Sequence, residues 1–290
     1  MIIIGLQAGM QINLIISHLY GQPLTRTMMN TATHTKIFQI KEKKKSGQPI
    51  SALTAYDYPQ ALLVDQAGID ILLVGDSLGN VILGRPGTLE VTIEEMIHHL
   101  KAVVKAEPRA LIVADMPAGS YRNESLALES AHRLVEAGAE AVKLEGGKPV
   151  AGAIESITGA GIPLMGHAGL LPQTAHLDGG YRIKGKTEDE STMIMEDVEA
   201  IEKAGAFSVV LELVTKDLSA RITQSCGIPT IGIGSGSGCD GQILVLHDLL
   251  GFGPGPFPKH ASPPVHYFDL MKKTLIDWRD SLHTPPAQSQ

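Results

Sequence analysis

At 290 residues the chain is long enough for one large α/β domain, and its 43% apolar content excludes a disordered protein. A formal charge of −7 without a basic stripe, and only 4% aromatic residues, argue against nucleic acid as a partner. Two cysteines, Cys226 and Cys239, cannot staple a chain this long and match no zinc spacing, so a reducing cytoplasm is the expected setting.

Residues 1–20 are apolar in patches (Ile2, Ile3, Ile4, Leu14, Ile15, Ile16), but Gln7, Gln11, Asn13 and His18 interrupt them. No Lys or Arg precedes the run, whereas a secretory signal has a positive n-region there, and the run is too short and broken for a membrane span. Met28 and Met29 follow, so translation is expected to start near Met29, with residues 1–28 a non-native or disordered extension. Lys41, Lys43, Lys44 and Lys45 read as a solvated surface.

From about Gln39 onward, short β-like runs alternate with helical periods. Strands are expected at 50–55, 69–75, 110–115, 141–145, 162–167, 208–213, 228–233 and 243–246. Helices are expected at 58–67, 93–104, 125–136, 150–158, 193–204 and 216–224. Ala-Gly pairs (67–68, 137–138, 160–161, 204–205) close helical stretches, where glycine supplies the left-handed cap that turns the chain back into the sheet. Eight strands in this rhythm predict an α/β protein with a closed (βα)8 TIM barrel spanning residues 29–282. Prolines make 253–258 irregular. A last helix, about 267–282, is expected to pack on the barrel, and 283–290 reads as a disordered tail.

Four acidic residues close buried-looking runs: Asp76, Asp115, Glu145 and Glu212. In parallel α/β proteins the carboxyl ends of the strands share one face, where active sites are built. Unpaired carboxylates there are costly, so the set implies a cation, a proton-transfer task, or both. Asp76, Asp115 and Glu145 are hard oxygen donors without a His or Cys companion at their level, which favours Mg2+. Open positions on such an ion would let a 2-oxo acid chelate it and acidify the adjacent C–H. For any one of these acids alone, a helix cap or a salt bridge is an equal account.

Lys143 lies two residues before Glu145 on the same strand face and suits a substrate carboxylate, or neutralises the cluster. Ser77 is either a hydroxyl donor to the substrate or a turn cap. Glu212, between Leu211 and Leu213, fits a general base whose pKa is raised by an apolar setting, or a fourth residue around the metal. His167 is a structural hydrogen-bonder or a substrate contact. The run from Gly232 to Gly238 lacks the opening helix and the following acidic residue of a dinucleotide site, and reads as a turn open to a substrate or an anion.

At these residues the chain resembles the ketopantoate hydroxymethyltransferases. The matching blocks include LTAYDYP (53–59), LLVGDSLGNVILG (72–84), ADMPAGSY (114–121), VKLEGG (142–147), GHAGLLPQ (166–173), GGYRIKGKTEDE (179–190) and DGQILVLHDLLG (240–251). The resemblance implies a (βα)8 barrel of the phosphoenolpyruvate/pyruvate type, assembled as a homodecamer without nucleic-acid or membrane partners. It implies Mg2+ at Asp76, Asp115 and Glu145, with 3-methyl-2-oxobutanoate against Asp76, Ser77, Asp115 and Lys143. It makes Glu212 the proton acceptor and 5,10-methylenetetrahydrofolate the one-carbon co-substrate of a step in pantothenate and coenzyme A synthesis. Residues 179–190 would form a mobile segment over the site. The chain departs from the family pattern at Arg85 to Thr88, Lys105 to Glu107, Ala118, Leu171, Leu213 to Thr215, and His260 to Ser262, which follow Pro258-Lys259. A competing reading is a lyase of the phosphoenolpyruvate mutase and isocitrate lyase type, whose catalytic cysteine lies on a loop. Another is an idle barrel that only binds a keto acid.

Overall fold

Eight parallel strands close on themselves in the computed structural model, which describes residues 25–282 with residue 178 excepted. They are β1 (Ile50–Thr54), β2 (Ile71–Val74), β3 (Leu111–Asp115), β4 (Ala141–Lys143), β5 (Leu164–Gly169), β6 (Ser208–Glu212), β7 (Thr230–Ile233) and β8 (Gly241–Leu244). Each pairs in parallel with the next, and β8 closes the ring on β1 through Ile50↔Gly241 and Ala52↔Ile243. All eight expected strands are present, with β8 starting two residues earlier than its apolar run suggested. Gly241 explains the shift: a Cβ there would stand 2.4 Å from the Ile50 carbonyl oxygen, so only glycine joins the ladder at that point.

The helices are α1 (Thr25–Ser46), α2 (Tyr58–Gln66), α3 (Leu78–Val81), α4 (Ile93–Val104), α5 (Glu124–Glu136), α6 (Ala151–Gly159), α7 (Glu188–Lys203), α8 (Lys216–Ser225), α9 (Leu246–Leu250) and α10 (Tyr267–Ser281). Local chemistry sets their starts. Thr92 and Glu95 form a capping box on α4, Asp57 caps α2 with Pro59 behind it, and Asn123 caps α5. Helix α7 begins five residues before its expected start, because Thr187 caps an acidic first turn that carries no apolar period. The four Ala-Gly pairs behave as expected, with Gly68, Gly138, Gly161 and Gly205 all at positive φ.

Two apolar layers hold the barrel. The outer one packs α2 and α4 to α8 on the sheet through residues such as Leu72, Leu100, Leu134, Ile154 and Ile201. The inner one fills the barrel with Ile50, Ile71, Leu73, Leu111, Val113, Met165, Phe207, Ile231 and Ile243. Ile37 and Ile40 of α1 join that inner cluster, so α1 plugs the end where the strands begin. Lys43 reaches Asp70 (2.6 Å) and Lys44 reaches Asp240 (2.8 Å), which corrects the reading of this lysine cluster as solvated surface. Lys41 and Lys45 do stay outside, Lys45 paired with half-buried Glu42.

Helix α10 corrects a second expectation. It forms where expected, but none of its residues is buried, and Leu275 and Trp278 are 65% and 64% exposed. The Gly-Pro run after α9 carries it off the barrel wall. Among the described residues no helix is long and apolar enough to cross a membrane. The tail 283–290, and residues 1–24 of the expected extension, lie outside the described residues; residues 25–28 already belong to α1.

Candidate active site

The strands deliver their acids to one end of the barrel. Asp115 is the last residue of β3 and Glu212 the last of β6, while Asp76 and Glu145 stand two residues beyond β2 and β4. Asp76, Asp115, Glu145, Lys143, His167 and Glu212 are all buried, Glu212 being the most accessible at 9%. Parallel register sets the first contact. Asp115 and Lys143 are directly paired on β3 and β4, and Lys143 Nζ donates to Asp115 Oδ1 at 2.6 Å. The other oxygen, Oδ2, accepts from the Asp76 backbone N–H at 3.0 Å. That turn can press so close because residue 75 is glycine: a Cβ there would meet Ser77 Oγ at 2.9 Å and Asp115 Oδ2 at 3.4 Å.

Ser77 occupies the N-cap position of α3 without capping it. Its hydroxyl instead lies 2.8 Å from the phenol of Tyr56, which is fully buried. Tyr56 was not singled out by sequence, and neither was Gln173. Gln173 braces the cluster: its side-chain amide donates to Asp76 Oδ2 (2.8 Å) and to the Met116 carbonyl (3.1 Å), and its backbone N–H donates to Glu145 Oε2 (3.0 Å). The Tyr121 hydroxyl donates to the remaining Gln173 oxygen.

Four carboxyl groups against one ammonium leave a formal surplus of three negative charges in a region nearly closed to water. The ionisation equilibria respond. Burial, and then the charge of Asp115, push Asp76 up to about 7. Burial and Asp76 lift Glu145 well above the usual carboxylate range. Glu212 is pushed up to about 7 by burial, with Lys143 and His260 pulling the other way. Burial disfavours the Lys143 charge, but Asp115, Glu145 and Asp76 outweigh it and hold the ammonium above its ordinary value.

His167 lies between two of the acids, with Nε2 3.3 Å from Glu212 Oε2 and Nδ1 3.7 Å from Glu145 Oε1. Neither ring nitrogen is aligned for a hydrogen bond. Burial and the Lys143 charge depress its pKa well below the usual value, so the ring is neutral and the contact is polar rather than ionic. Gly169, paired with Glu212 across β5 and β6, lets these strands close: its φ is +95°, and a Cβ would fall 2.5 Å from the Glu212 carbonyl oxygen.

The donor set is hard oxygen with excess negative charge, which fits a divalent oxygen-seeking cation. Among the described residues no three His, Cys, Asp or Glu side chains are gathered tightly enough to hold an ion by protein ligands alone. An open Mg2+ site needs only one or two carboxylates, the rest being water and substrate oxygens, so the arrangement suits that mode of binding.

Along the glycine-rich turn Ser237 and Gly238 are exposed, whereas Ser235 is held inside. Ser235 is fully buried, donating to the Leu211 carbonyl (2.8 Å) and accepting from Val214 N–H (2.9 Å), so the turn braces the chain beyond Glu212. In the segment 179–190, Lys184 is tied by backbone bonds to Leu213 and Thr215. The Tyr181 phenol of the same segment is pushed up to about 12 by burial and by Glu212, Glu145 and Asp76. Neither cysteine belongs to the site. Cys226 caps the C-terminus of α8, and Cys239 packs against Gly232 just before β8.

Fold and site together define a (βα)8 barrel with an acid-rich strand-end centre. Solved barrels share the architecture. A phosphoenolpyruvate phosphomutase from Streptomyces platensis subsp. rosaceus superposes with a TM-score of 0.59 at 15% identity, covering 84% of this chain and 88% of that one. A 2,3-dimethylmalate lyase of the PEP mutase/isocitrate lyase superfamily gives 0.56 at 14%, covering 88% and 91%. At such identities the likeness is one of fold. The sequence profile of the ketopantoate hydroxymethyltransferases matches residues 34–285. The 3-methyl-2-oxobutanoate hydroxymethyltransferase of Ignicoccus hospitalis is 54% identical over 239 residues, covering 81% of this chain and 89% of that one. Its counterpart from Heliobacterium modesticaldum is 52% identical over 242 residues, covering 83% and 88%. The chain belongs to the ketopantoate hydroxymethyltransferase family.

Proposed function

We propose that this protein transfers a hydroxymethyl group from 5,10-methylenetetrahydrofolate to 3-methyl-2-oxobutanoate, forming 2-dehydropantoate for pantothenate synthesis in the cytoplasm. The observation that carries the reading is the surplus of buried carboxyl groups around one lysine, with Glu212 poised near neutrality. One or two carboxylates from among Asp76, Asp115 and Glu145 would hold Mg2+, with water and substrate oxygens completing its shell, and the ion when bound would polarise the keto group and acidify C3–H.

The remaining work falls to the chain's own groups. The Lys143 ammonium and the Ser77 hydroxyl receive the substrate, with Asp115 and Tyr56 fixing their positions. Glu212 takes the C3 proton, a task for which a base near pKa 7 is well matched. Neutral His167 lines the dry side of Glu212 and contacts the substrate. The carbanion equivalent at C3 then forms a C–C bond to the methylene carbon as its two C–N bonds break; water supplies the hydroxyl, and tetrahydrofolate leaves carrying the C3 proton and one from that water. A cleft of about 710 Å3 beside Tyr121, Arg122, Val150 and Gln173 is where we place the folate.

The exposed apolar residues of α10, among them Leu275 and Trp278, support a homo-oligomer, and we take the assembly to be a decamer. Light scattering on the purified protein tests that assembly, a monomer being the contrary result. The activity is tested by incubating the protein with both substrates, with Mg2+ or with a chelator, and following 2-dehydropantoate by NMR. Product should appear only with metal, and its absence under every condition would refute the reading.

A further inference from the structure

One residue holds two acids of the cluster at once. Gln173 is buried in the short turn Pro172–Thr174 that follows β5. Its backbone N–H stands in the first positions of that turn, where such groups have no partner within the turn, and it donates to Glu145 Oε2 at 3.0 Å. Its side-chain amide donates to Asp76 Oδ2 at 2.8 Å. Asp76 follows β2 and Glu145 follows β4, so a turn beyond β5 ties the ends of two other strands together.

The amide can point only one way. Its NH2 group donates to Asp76 Oδ2 and to the Met116 carbonyl (3.1 Å), and its oxygen accepts from the Tyr121 hydroxyl. Turned over, the amide would set its oxygen against two acceptors and leave the phenol proton facing an NH2 group. Tyr121 therefore fixes the donor end on Asp76.

Gln173 and Lys143 brace the acids differently. Lys143 Nζ holds Asp115 Oδ1 with a full positive charge, which competes with any cation for that carboxylate. Gln173 holds Asp76 and Glu145 with neutral donors, so their negative charge stays available. It also decides which oxygens are left. Among the described residues no hydrogen bond engages Asp76 Oδ1 or Glu145 Oε1, and His167 Nδ1 stands 3.7 Å from the latter without forming one.

We propose that Gln173 is a positioning residue for a divalent cation, resting on the reading of this cluster as a Mg2+ site. It ties back one oxygen of Asp76 and one of Glu145 and leaves the other oxygen of each for the ion. Carboxylates that bind metals are themselves held by hydrogen bonds, and removing such a partner typically costs roughly ten- to a hundredfold in affinity.

The test uses the full-length protein and Mn2+, an ion suited to the same oxygen donors and read by EPR. Gln173→Met keeps the length of the side chain and the backbone N–H but removes the amide. It should bind Mn2+ roughly ten- to a hundredfold more weakly than the wild type. Tyr121→Phe leaves every acid its donor and frees only the amide oxygen. It should lose roughly twofold to tenfold, the worth of one neutral hydrogen bond, and serves if the methionine variant folds poorly. Thermal unfolding with and without Mn2+ separates positioning from packing. Lost positioning shrinks the Mn2+-induced rise in Tm, whereas lost packing lowers Tm equally with and without the ion. Wild-type affinity in Gln173→Met, or in Tyr121→Phe where only that variant folds, would overturn the proposal, as would an undiminished Mn2+-induced rise. A wild type that binds no Mn2+ would overturn the Mg2+ reading itself, a failure distinct from that of Gln173.

Discussion

The two ends of this barrel use the same residue types to opposite effect. Where the strands begin, Asp70, Glu140 and Asp240 immediately precede β2, β4 and β8, and each meets a lysine of α1: Lys43 (2.6 Å), Lys36 (2.8 Å) and Lys44 (2.8 Å). Each of these acids also accepts a backbone N–H from a neighbouring strand, from Ser51, Ile112 and Thr230. Every acid there has its own cation. Where the strands end, Asp76, Asp115, Glu145 and Glu212 share Lys143. Paired charge stabilises an end cap, whereas crowded charge is costly and persists where chemistry needs it.

The largest expected break in the comparison is chemical. Glu212→Gln should lower the rate of C3 proton exchange by roughly a hundred- to ten-thousand-fold while leaving Mg2+-dependent keto-acid binding intact. NMR exchange and calorimetry read the two effects separately, and normal exchange would remove Glu212 from the role of base. Lys143→Met removes the one cation of the acid-rich end. It should abolish keto-acid binding and destabilise the metal-free protein by roughly 3–5 kcal/mol at pH 8. The loss should shrink at pH 5, where Asp76 and Glu145 can take up protons. Urea unfolding at the two pH values measures it, and an equal loss at both would contradict the crowding.

A third test uses stability alone. Burial lifts Glu212 from an ordinary 4.5 to about 7, so the folded chain holds more protons than the unfolded one between those values. The contribution of Glu212 to stability therefore falls as pH rises from about 4.5 to about 7 and is level above. Glu212→Gln cannot ionise and should gain on the wild type across that window, by roughly 3 kcal/mol above pH 7. A pH-independent difference would mean the carboxyl is better solvated than its position indicates. The smallest effect belongs to the other end. Lys44→Met should cost about 1–3 kcal/mol by leaving Asp240 without its cation. Turnover should be unchanged, and any loss of it would show that the ends are coupled.

The sequence disclosed the ends unequally. Asp76, Asp115, Glu145 and Glu212 stand out because a charged residue closes an apolar run, and Lys143 because a cation on an inward strand face needs a partner. Gln173 and Tyr56 carry neither charge nor period; both fall in blocks shared with the family, but nothing in their residue type ties them to acids far along the chain. Helix α1 gives a weak sequence signal, because among its residues of described burial the buried ones are Thr33, Ile37 and Ile40 within a polar, lysine-rich stretch. Its spacing of four and three residues is helical, and the strand-leading acids Asp70, Glu140 and Asp240 mirror the strand-ending ones. Helix α10 was legible as a helix but not in its packing, since an apolar face specifies burial without naming the partner.

The most direct measurement is deuterium entry at C3 of 3-methyl-2-oxobutanoate in D2O without any folate, with Mg2+ and with a chelator, for the wild type and Glu212→Gln. The account predicts metal-dependent exchange in the wild type and its loss in the variant. Equal exchange in both proteins, or none in the wild type with Mg2+, would contradict an enolising centre at the acid-rich end of the barrel.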